Sequence, residues 1–350
     1  MSLFLGLETS CDDTSVALVA GDGEVLKLYK YTKDEDHRPF GGIVPERASR
    51  NHLKSIVSLL KEIETDLNKS FGLSFKELSG IGYTSRPGLL GSLIVGSVAA
   101  KTLSQVFDTP IYPVNHLEGH VLSPWLYEKS NGFAKEMVFP HLSLIVSGGH
   151  TQLVLVKAIG DYEILGSTRD DAVGEAIDKF SKSLGLGFPG GPIVDKKSLT
   201  GNPKAHSFPR PMIKEPHYDF SFSGLKASAS RYILEKKNFS ETEVNDLCAS
   251  YLEACVEVLE VKTKKALMEY KPKGGFSVAG GVSANSLLRK RFESLAKDLD
   301  TPLFIPPLKF CTDNGAMIAL VAALRLSEDK NELNFEPSSK SLAGDFYDKR

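Results

Sequence analysis

The chain states one pattern of strands and turns twice, and that repetition limits the fold more than any other feature. Leu3 to Glu8 reads as a strand, Thr9-Ser10-Cys11-Asp12-Asp13 as a polar turn, and Thr14 opens a second strand from Ser15 to Ala20. Gly21-Asp22-Gly23 turns into a third strand, Glu24 to Tyr31. In the second half, Leu142 to Val146 is a strand and Ser147-Gly148-Gly149-His150 a turn. Thr151 then opens the next strand, and Gly160-Asp161 leads to Tyr162-Glu163-Ile164-Leu165. β-branched and apolar runs broken by turn residues at matching offsets mark strands joined in a meander. A strand-turn-helix unit follows each time. Ile81 to Ser85 passes through Pro87-Gly88 into a helix, and Phe276 to Ala279 passes through Gly280-Gly281 into a helix from Ser283. Such a duplication predicts two similar α/β lobes with a ligand cleft between them, met by the turns of both copies.

At 350 residues the chain is too long for one compact core and suits two lobes. The expected division gives an N-terminal lobe of residues 1–112, joined by C-terminal helices from about 314–345, and a C-terminal lobe of residues 113–313. The second lobe is expected to carry the metal and nucleotide motifs. Residues 185–222, rich in Gly, Pro, His and Phe, read as an insertion covering the cleft. The polar stretch from Ser327 is expected to be partly disordered.

Charge excludes a globally attracted nucleic acid. Lys+Arg number 42 against Asp+Glu 44, so such a partner must be held by a local basic patch. Arg47, Arg50 and Lys54 at helical spacing after Pro45, and Arg210, Lys214 and His217 in the insertion, are the candidates. The four cysteines, Cys11, Cys248, Cys255 and Cys311, form no C-x-x-C pair and read as core thiols in a reducing compartment. No basic leader precedes the first strand, and the apolar run from Pro87 to Ala100 is too short and glycine-rich to span a bilayer. The expectation is a soluble, cytoplasmic protein with no membrane partner.

His116-Leu117-Glu118-Gly119-His120 carries the most specific chemistry. Two imidazoles four residues apart lie on one helix face, the spacing that chelates a single metal ion. Asn115 supplies a helix N-cap directly before them. Glu118 lies one position away from the general base of H-E-x-x-H peptidases, so the pair resembles that motif without matching it. A carboxylate would complete a site with positions left open for water or substrate. Spacing alone leaves Asp313, His150 and Asp12 equally open as that third ligand, and Asp313 also stands where it would cap a helix from Ala316 to Leu326.

Ser147-Gly148-Gly149-His150-Thr151 lets main-chain N–H groups converge on an anion with no Cβ in the way. Its counterpart, Thr9 to Thr14, carries Asp12 and Asp13 and would repel phosphate unless a cation or a donor intervenes. Gly185-Leu186-Gly187-Phe188-Pro189-Gly190 satisfies G-x-G-x-x-G, but it follows a helical segment and is broken by proline, against a dinucleotide site. Ser223-Gly224-Leu225-Lys226 lacks the companion motifs of an acyl-enzyme, and no Walker A sequence is present.

Taken together, these residues resemble one family. Leu7 to Thr14, His116 to His120, Val146 to Thr151, Asp170 to Ala176, Phe188 to Pro192, Phe220 to Lys226, Gly280 to Asn285 and Asp313 to Ile318 recur in collinear order in the tRNA N6-adenosine threonylcarbamoyltransferases, once labelled O-sialoglycoprotein endopeptidases. The Thr-Ser-Cys-Asp-Asp turn is similar to the bacterial and organellar branch. The resemblance implies an α/β, actin-like and sugar-kinase-like (ASKHA) fold of two ribonuclease-H-like lobes with a central nucleotide cleft. It implies transfer of the threonylcarbamoyl group from threonylcarbamoyl-AMP to N6 of the adenosine 3′ of the tRNA anticodon, with release of AMP. By the same resemblance His116, His120 and Asp313 would bind one divalent metal ion, given in the family as iron, although the ligand set suits zinc equally. The adenylate would be held by Ile145, Val146, Ser147, Gly148 and Gly149, with Asp178, Gly191, Asp195 and Asn285. A paralogous partner subunit lacking the metal histidines and a small ATPase are the implied partners.

A mixed anhydride is already activated, so no enzyme nucleophile is required and none is visible. Donors that neutralise the departing AMP and orient a weakly nucleophilic amine supply the catalysis. For the base that takes the amine's proton, Asp12, Asp13, Glu118 and His150 are the candidates. The rival classes are a metal-dependent peptidase, an ATP-dependent phosphotransferase of the same fold and a non-catalytic scaffold; retained His116 and His120 speak against the last.

Overall fold

A computed structural model describes residues 2–32, 37, 40, 42–130, 132, 135–325 and 335–340. In chain order its strands are β1 (Leu3–Glu8), β2 (Thr14–Ala20), β3 (Val25–Tyr31), β4 (Gly80–Arg86), β5 (Ile111–Asn115), β6 (His141–Val146), β7 (Thr151–Ala158), β8 (Asp161–Ser167), β9 (Phe276–Ala279) and β10 (Leu303–Phe304). The α-helices are α1 (Pro45–Phe71), α2 (Leu90–Phe107), α3 (His116–Leu122), α4 (Val173–Ser183), α5 (Gly190–Ser198), α6 (Ser223–Lys236), α7 (Glu241–Tyr270), α8 (Ser286–Asp298) and α9 (Gly315–Leu324). The chain divides into two compact units, Met1–Met137 with Pro306–Arg350, and Val138–Ile305.

Each unit holds a five-stranded sheet, and the two sheets have the same order. In the first it is β3-β2-β1-β4-β5, and in the second, read from the same end, β8-β7-β6-β9-β10. The meanders pair antiparallel and the last two strands add in parallel in both. Registers correspond as well: Phe4 lies opposite Gly80 where Leu142 lies opposite Phe276, and Leu7 opposite Tyr83 where Ile145 lies opposite Ala279. The repeat read in the sequence is therefore a repeat of pairing geometry.

In the first unit β1 is buried along its whole length, and alternate residues serve opposite layers. Leu3, Leu5 and Leu7 pack with Ile56, Leu59, Ile63 and Leu67 of α1 and Val95 of α2. Those α1 residues recur at helical spacing, and the helix has Pro45 in its first turn and stops at Gly72, whose left-handed φ of 65° ends it. The other face of β1 meets α9. A Cβ on Gly6 would stand 1.9 Å from the Gly315 carbonyl oxygen, so only glycine lets this apolar helix lie so close. In the second unit, β6 and β7 pack with Val173, Ile177 and Phe180 of α4 and Tyr251, Leu252 and Cys255 of α7.

Several expectations change. The division falls after Met137 and before Pro306, not after residue 112, so His116, His120 and Asp313 all belong to the first unit. The physical cause is that β5 is the outer parallel strand of the first sheet, and the following segment returns to that sheet through a bridge from Tyr127 to Glu24. The helix expected from Ser283 begins at Ser286, after a single 3-10 turn from Gly281 to Ala284. Residues 185–222 contain α5, then run along α7 of their own unit, where Asn202 N–H donates to Asp246, His206 N–H to Ser250 Oγ and Arg210 to Glu257, and end beside β8, where Phe220 N–H donates to the Ser167 carbonyl. The helix α2 is longer than the run read in the sequence and, by length and composition, could cross a membrane; here it packs on β4 and beside α1. Of the C-terminal helices expected to about 345, α9 is described; residues 326–334 and 341–350 lie outside the described residues, as does most of the stretch expected to be disordered from Ser327.

Candidate metal centre and nucleotide turn

Asn115 caps α3 through its side chain, which accepts from Leu117 N–H at 2.9 Å. All seven residues of this helix are buried, so its histidines are fixed by packing. The two rings are 4.7 Å apart and nearly perpendicular. Asp313 reaches them from the loop before α9: its Oδ1 is 3.1 Å from His120 Nε2 and 3.5 Å from His116 Nε2. Ligand atoms about 2.1 Å from one tetrahedral ion lie roughly 3–3.5 Å apart. Among the described residues, His116, His120 and Asp313 are the group whose ligand atoms converge, all within 4.8 Å of one another, and that donor set fits a divalent ion. Asn314 caps α9, its side chain accepting from Met317 N–H, and Asp313 is left to face the histidines.

Electrostatics follow from this crowding. Burial works against charge on His116, but the Asp313 and Glu8 carboxylates outweigh it and raise the imidazole to about 9. Burial likewise opposes the Asp313 carboxylate, while charge on His116 and the hydrogen bond from His120 pull its pKa below the usual carboxylate range. Glu8 was not singled out in the sequence. It is fully buried, and its Oε2 is 3.0 Å from His116 Nδ1. The available signal was a charged residue ending the otherwise apolar run Leu3 to Leu7.

The acidic turn is held from α1. His52, buried and kept neutral by desolvation, places Nε2 3.1 Å from the Cys11 carbonyl oxygen and Nδ1 2.8 Å from Thr14 Oγ1. A carbonyl only accepts, so Nε2 carries the hydrogen and Thr14 donates to Nδ1. Asp13 is engaged by Lys30 at 2.5 Å and by Thr32. Asp12 is pushed up to about 6 by burial, then by the neighbouring Asp13 and Asp313 charges, into the range suited to proton transfer near neutrality. Glu118 is a different case. It forms a buried ion pair with Arg325, 2.7 Å away, and is committed to structure, not free to act as a base.

The second unit carries the other predicted residues. Ser147 N–H donates to the His150 carbonyl and His150 N–H to Ser147 Oγ, closing the turn on itself. The turn backs onto the start of α4, where Gly174 N–H donates to Ser147 O and Val173 N–H to Thr151 Oγ1. A Cβ at Gly148, Gly149 or Gly191 would meet nothing within 4 Å. Asp178 on α4 accepts from Gly190 N–H at 2.7 Å, fixing the start of α5 beside Gly191. Asp195 on α5 accepts from Asn285 Nδ2 at 2.9 Å and from Ser286, while Asn285 Oδ1 caps α8. The sequence-predicted residues are thus linked by one chain of hydrogen bonds and packed turns. Of the basic candidates, Arg50 pairs with Glu46 on the exposed side of α1, Arg47 lies over Phe40, and Arg210 is taken by Glu257.

The sequence model of the tRNA N6-adenosine threonylcarbamoyltransferases matches residues 24–320. A Bdellovibrio bacteriovorus protein of that name is 46% identical over 344 residues, covering 98% of each chain. The chain belongs to the tRNA N6-adenosine threonylcarbamoyltransferase family. Solved structures are similar at the level of fold. One is T. kodakarensis HypF, with a TM-score of 0.59 at 14% identity over 95% of this chain and 49% of that one. Another is component A of the Acidaminococcus fermentans (R)-2-hydroxyglutaryl-CoA dehydratase, with a TM-score of 0.52 at 11% identity over 93% and 100%. This threonylcarbamoyltransferase-family chain therefore has the actin-like, sugar-kinase-like α/β fold, each of its sheets being one ribonuclease-H-like unit.

Proposed function

We propose that this chain transfers a threonylcarbamoyl group from threonylcarbamoyl-AMP to N6 of the adenosine 3′ of the anticodon in tRNA, releasing AMP. The observation that carries the reading is the convergence of His116, His120 and Asp313 in a chain matched to this family over nearly its whole length. The metal is one divalent ion on these three residues, iron(II) or, with the same donors, zinc. When bound, such an ion supplies Lewis-acid stabilisation of a carbonyl or phosphoryl oxygen. Within the turn Ile145 to Gly149, Gly148 and Gly149 leave the main chain unobstructed for the adenylate phosphate, and Asp178, Gly191, Asp195 and Asn285 complete the nucleotide site. Its hydrogen-bonded rigidity supports this, because a preorganised cradle needs no rearrangement as AMP departs.

The peptidase reading loses its base, since the only acid of the histidine motif is locked to Arg325. A phosphotransferase would transfer label from ATP to a small acceptor. Incubation with labelled threonine, bicarbonate, ATP, unmodified tRNA and the partner enzymes decides between them. Label in a hydrolysable adenosine derivative of the tRNA is expected; label absent from tRNA, with the adenylate made, would refute the transferase.

The partner requirement has physical support. Leu53 and Val57 on α1 and Leu90, Ile94, Val98 and Val106 on α2 are exposed, and these helices pack side by side. An apolar stripe of this kind suits another helical face, here assigned to the paralogous subunit, with the small ATPase joining the assembly. Val98→Glu is expected to abolish co-elution with that subunit while the isolated chain keeps its melting temperature. Unchanged co-elution would move the partner elsewhere.

A further inference from the structure

The duplication supplies an internal control for Glu8. By strand register Glu8 and Val146 are equivalent, each four residues beyond the first β1–β4 or β6–β9 pair, Phe4 with Gly80 or Leu142 with Phe276. Val146 shows that this strand end needs no charge to fold. Burying a carboxylate there is costly unless its oxygens are satisfied. In Glu8 they are. Oε1 accepts from Ser10 N–H at 2.5 Å, and Oε2 accepts from Thr84 Oγ1 at 2.6 Å and faces His116 Nδ1 at 3.0 Å.

A carboxylate anion can only accept, so the hydrogen between Glu8 and His116 belongs to Nδ1. In the neutral ring that a metal ligand must be, with Nδ1 holding that hydrogen, the lone pair is on Nε2, the nitrogen on the Asp313 side. The other histidine is not held in this way: His120 Nδ1 is buried with no hydrogen-bond partner. From this geometry we infer that Glu8 is a positioning residue, fixing the ring orientation and tautomer of His116 so that Nε2 is presented to a metal ion. The inference rests on the metal reading given above. Glu8 itself is not a ligand, because its oxygens are spent on Ser10, Thr84 and the far nitrogen of the ring.

Glu8→Gln keeps the shape and removes the charge. With Ser10 N–H, Thr84 and His116 all placed as donors, the amide nitrogen must face one of them. Cobalt(II) titration of the purified full-length chain, followed by visible absorption, reads the consequence without any transfer assay. The variant is expected to bind cobalt about 10–100-fold more weakly, the usual effect of losing an outer partner of a ligating histidine, with an altered absorption band. Glu8→Asp, one methylene short of the ring, is expected to weaken binding too, and serves if Glu8→Gln does not fold. A lowered melting temperature with unchanged cobalt affinity in the folded protein would show a purely structural role and overturn the inference. His120→Ala separates the two levels. If it loses cobalt while both Glu8 variants keep it, only the role of Glu8 fails; if it binds like the wild type, the metal reading fails and the inference with it.

Discussion

The two units share strand order, direction and register, and their chemistry parts at the turn that ends the first strand of each. In the first, Glu8 leads into Thr9 to Asp13, a turn of acids and hydroxyls anchored by His52 of α1. In the second, Val146 leads into Ser147-Gly148-Gly149-His150, a turn nearly free of side chains and anchored on α4. One scaffold thus presents side-chain carboxylates and imidazoles in one copy and bare main-chain N–H groups in the other. The first arrangement suits a cation and the second an anion. The lesson is that duplication preserves pairing geometry, while chemistry diverges in the few residues at the strand's end.

The sharpest way to break this comparison is His120→Ala. It removes one of three converging ligands, and a two-ligand site holds an ion weakly. Transfer activity and bound metal are expected to fall to background. Nucleotide binding by the second unit should persist, because none of its residues is touched. His120 Nδ1 makes no hydrogen bond, so the melting temperature should move by only a few degrees, about 1–2 kcal/mol of lost packing. Metal analysis by mass spectrometry beside the transfer assay checks this. Full metal content together with full transfer would remove the ligand assignment, and lost stability with normal activity per folded molecule would make the pair structural.

Gly149→Val probes the other copy. Its Cβ would enter open space, and Gly149 is not among the glycines with left-handed φ, so the fold should tolerate the change. A phosphate on the cradle would not. Loss of about two hydrogen bonds to a charged group, at roughly 1.5–3 kcal/mol each, predicts at least about a hundredfold weaker binding of an AMP analogue. Metal binding by the first unit should be unaffected. Calorimetry giving wild-type affinity would take the adenylate away from this turn.

The contrast also shows what a sequence can disclose. Meanders are local, so the apolar runs and turns of both copies were legible, as was the start of α3 at Asn115. Parallel strands pair at long range and leave no such mark, which is why the boundary was set after residue 112, inside β5 and before the helix that follows it, instead of after Met137. Asp313 lies 193 residues from His120, and spacing could not prefer it over Asp12 or His150. Family resemblance named it and folding brings it there. Glu118 and Arg325, 207 residues apart, misled for the same reason: an acid in a histidine motif suggests catalysis until its partner is seen.

The smallest effect expected at neutral pH comes from the opposite end of the same strands, where Leu3 in β1 corresponds to His141 in β6. His141 is fully buried, and Nδ1 lies 3.0 Å from the Gly274 carbonyl, to which it donates. Burial lowers its pKa to about 4 against the hydrogen bond's opposing pull. In the unfolded chain the imidazole titrates near 6.5, so between those values the unfolded state binds a proton that the folded state refuses. Its contribution to stability is therefore complete above pH 6.5, declines as pH falls towards 4, and changes no further below that. The full loss is on the order of 3 kcal/mol. His141→Leu, which copies the first unit, should flatten this part of the pH profile, although it gives up one hydrogen bond worth about 1 kcal/mol at neutral pH. Denaturant melts from pH 7 to 4, with hydrogen exchange at β6 and β9 to assign the change to the second unit, test the sign. A wild-type profile no steeper than the variant's would mean that His141 charges in place, and that this strand end tolerates polarity as the end bearing Glu8 does.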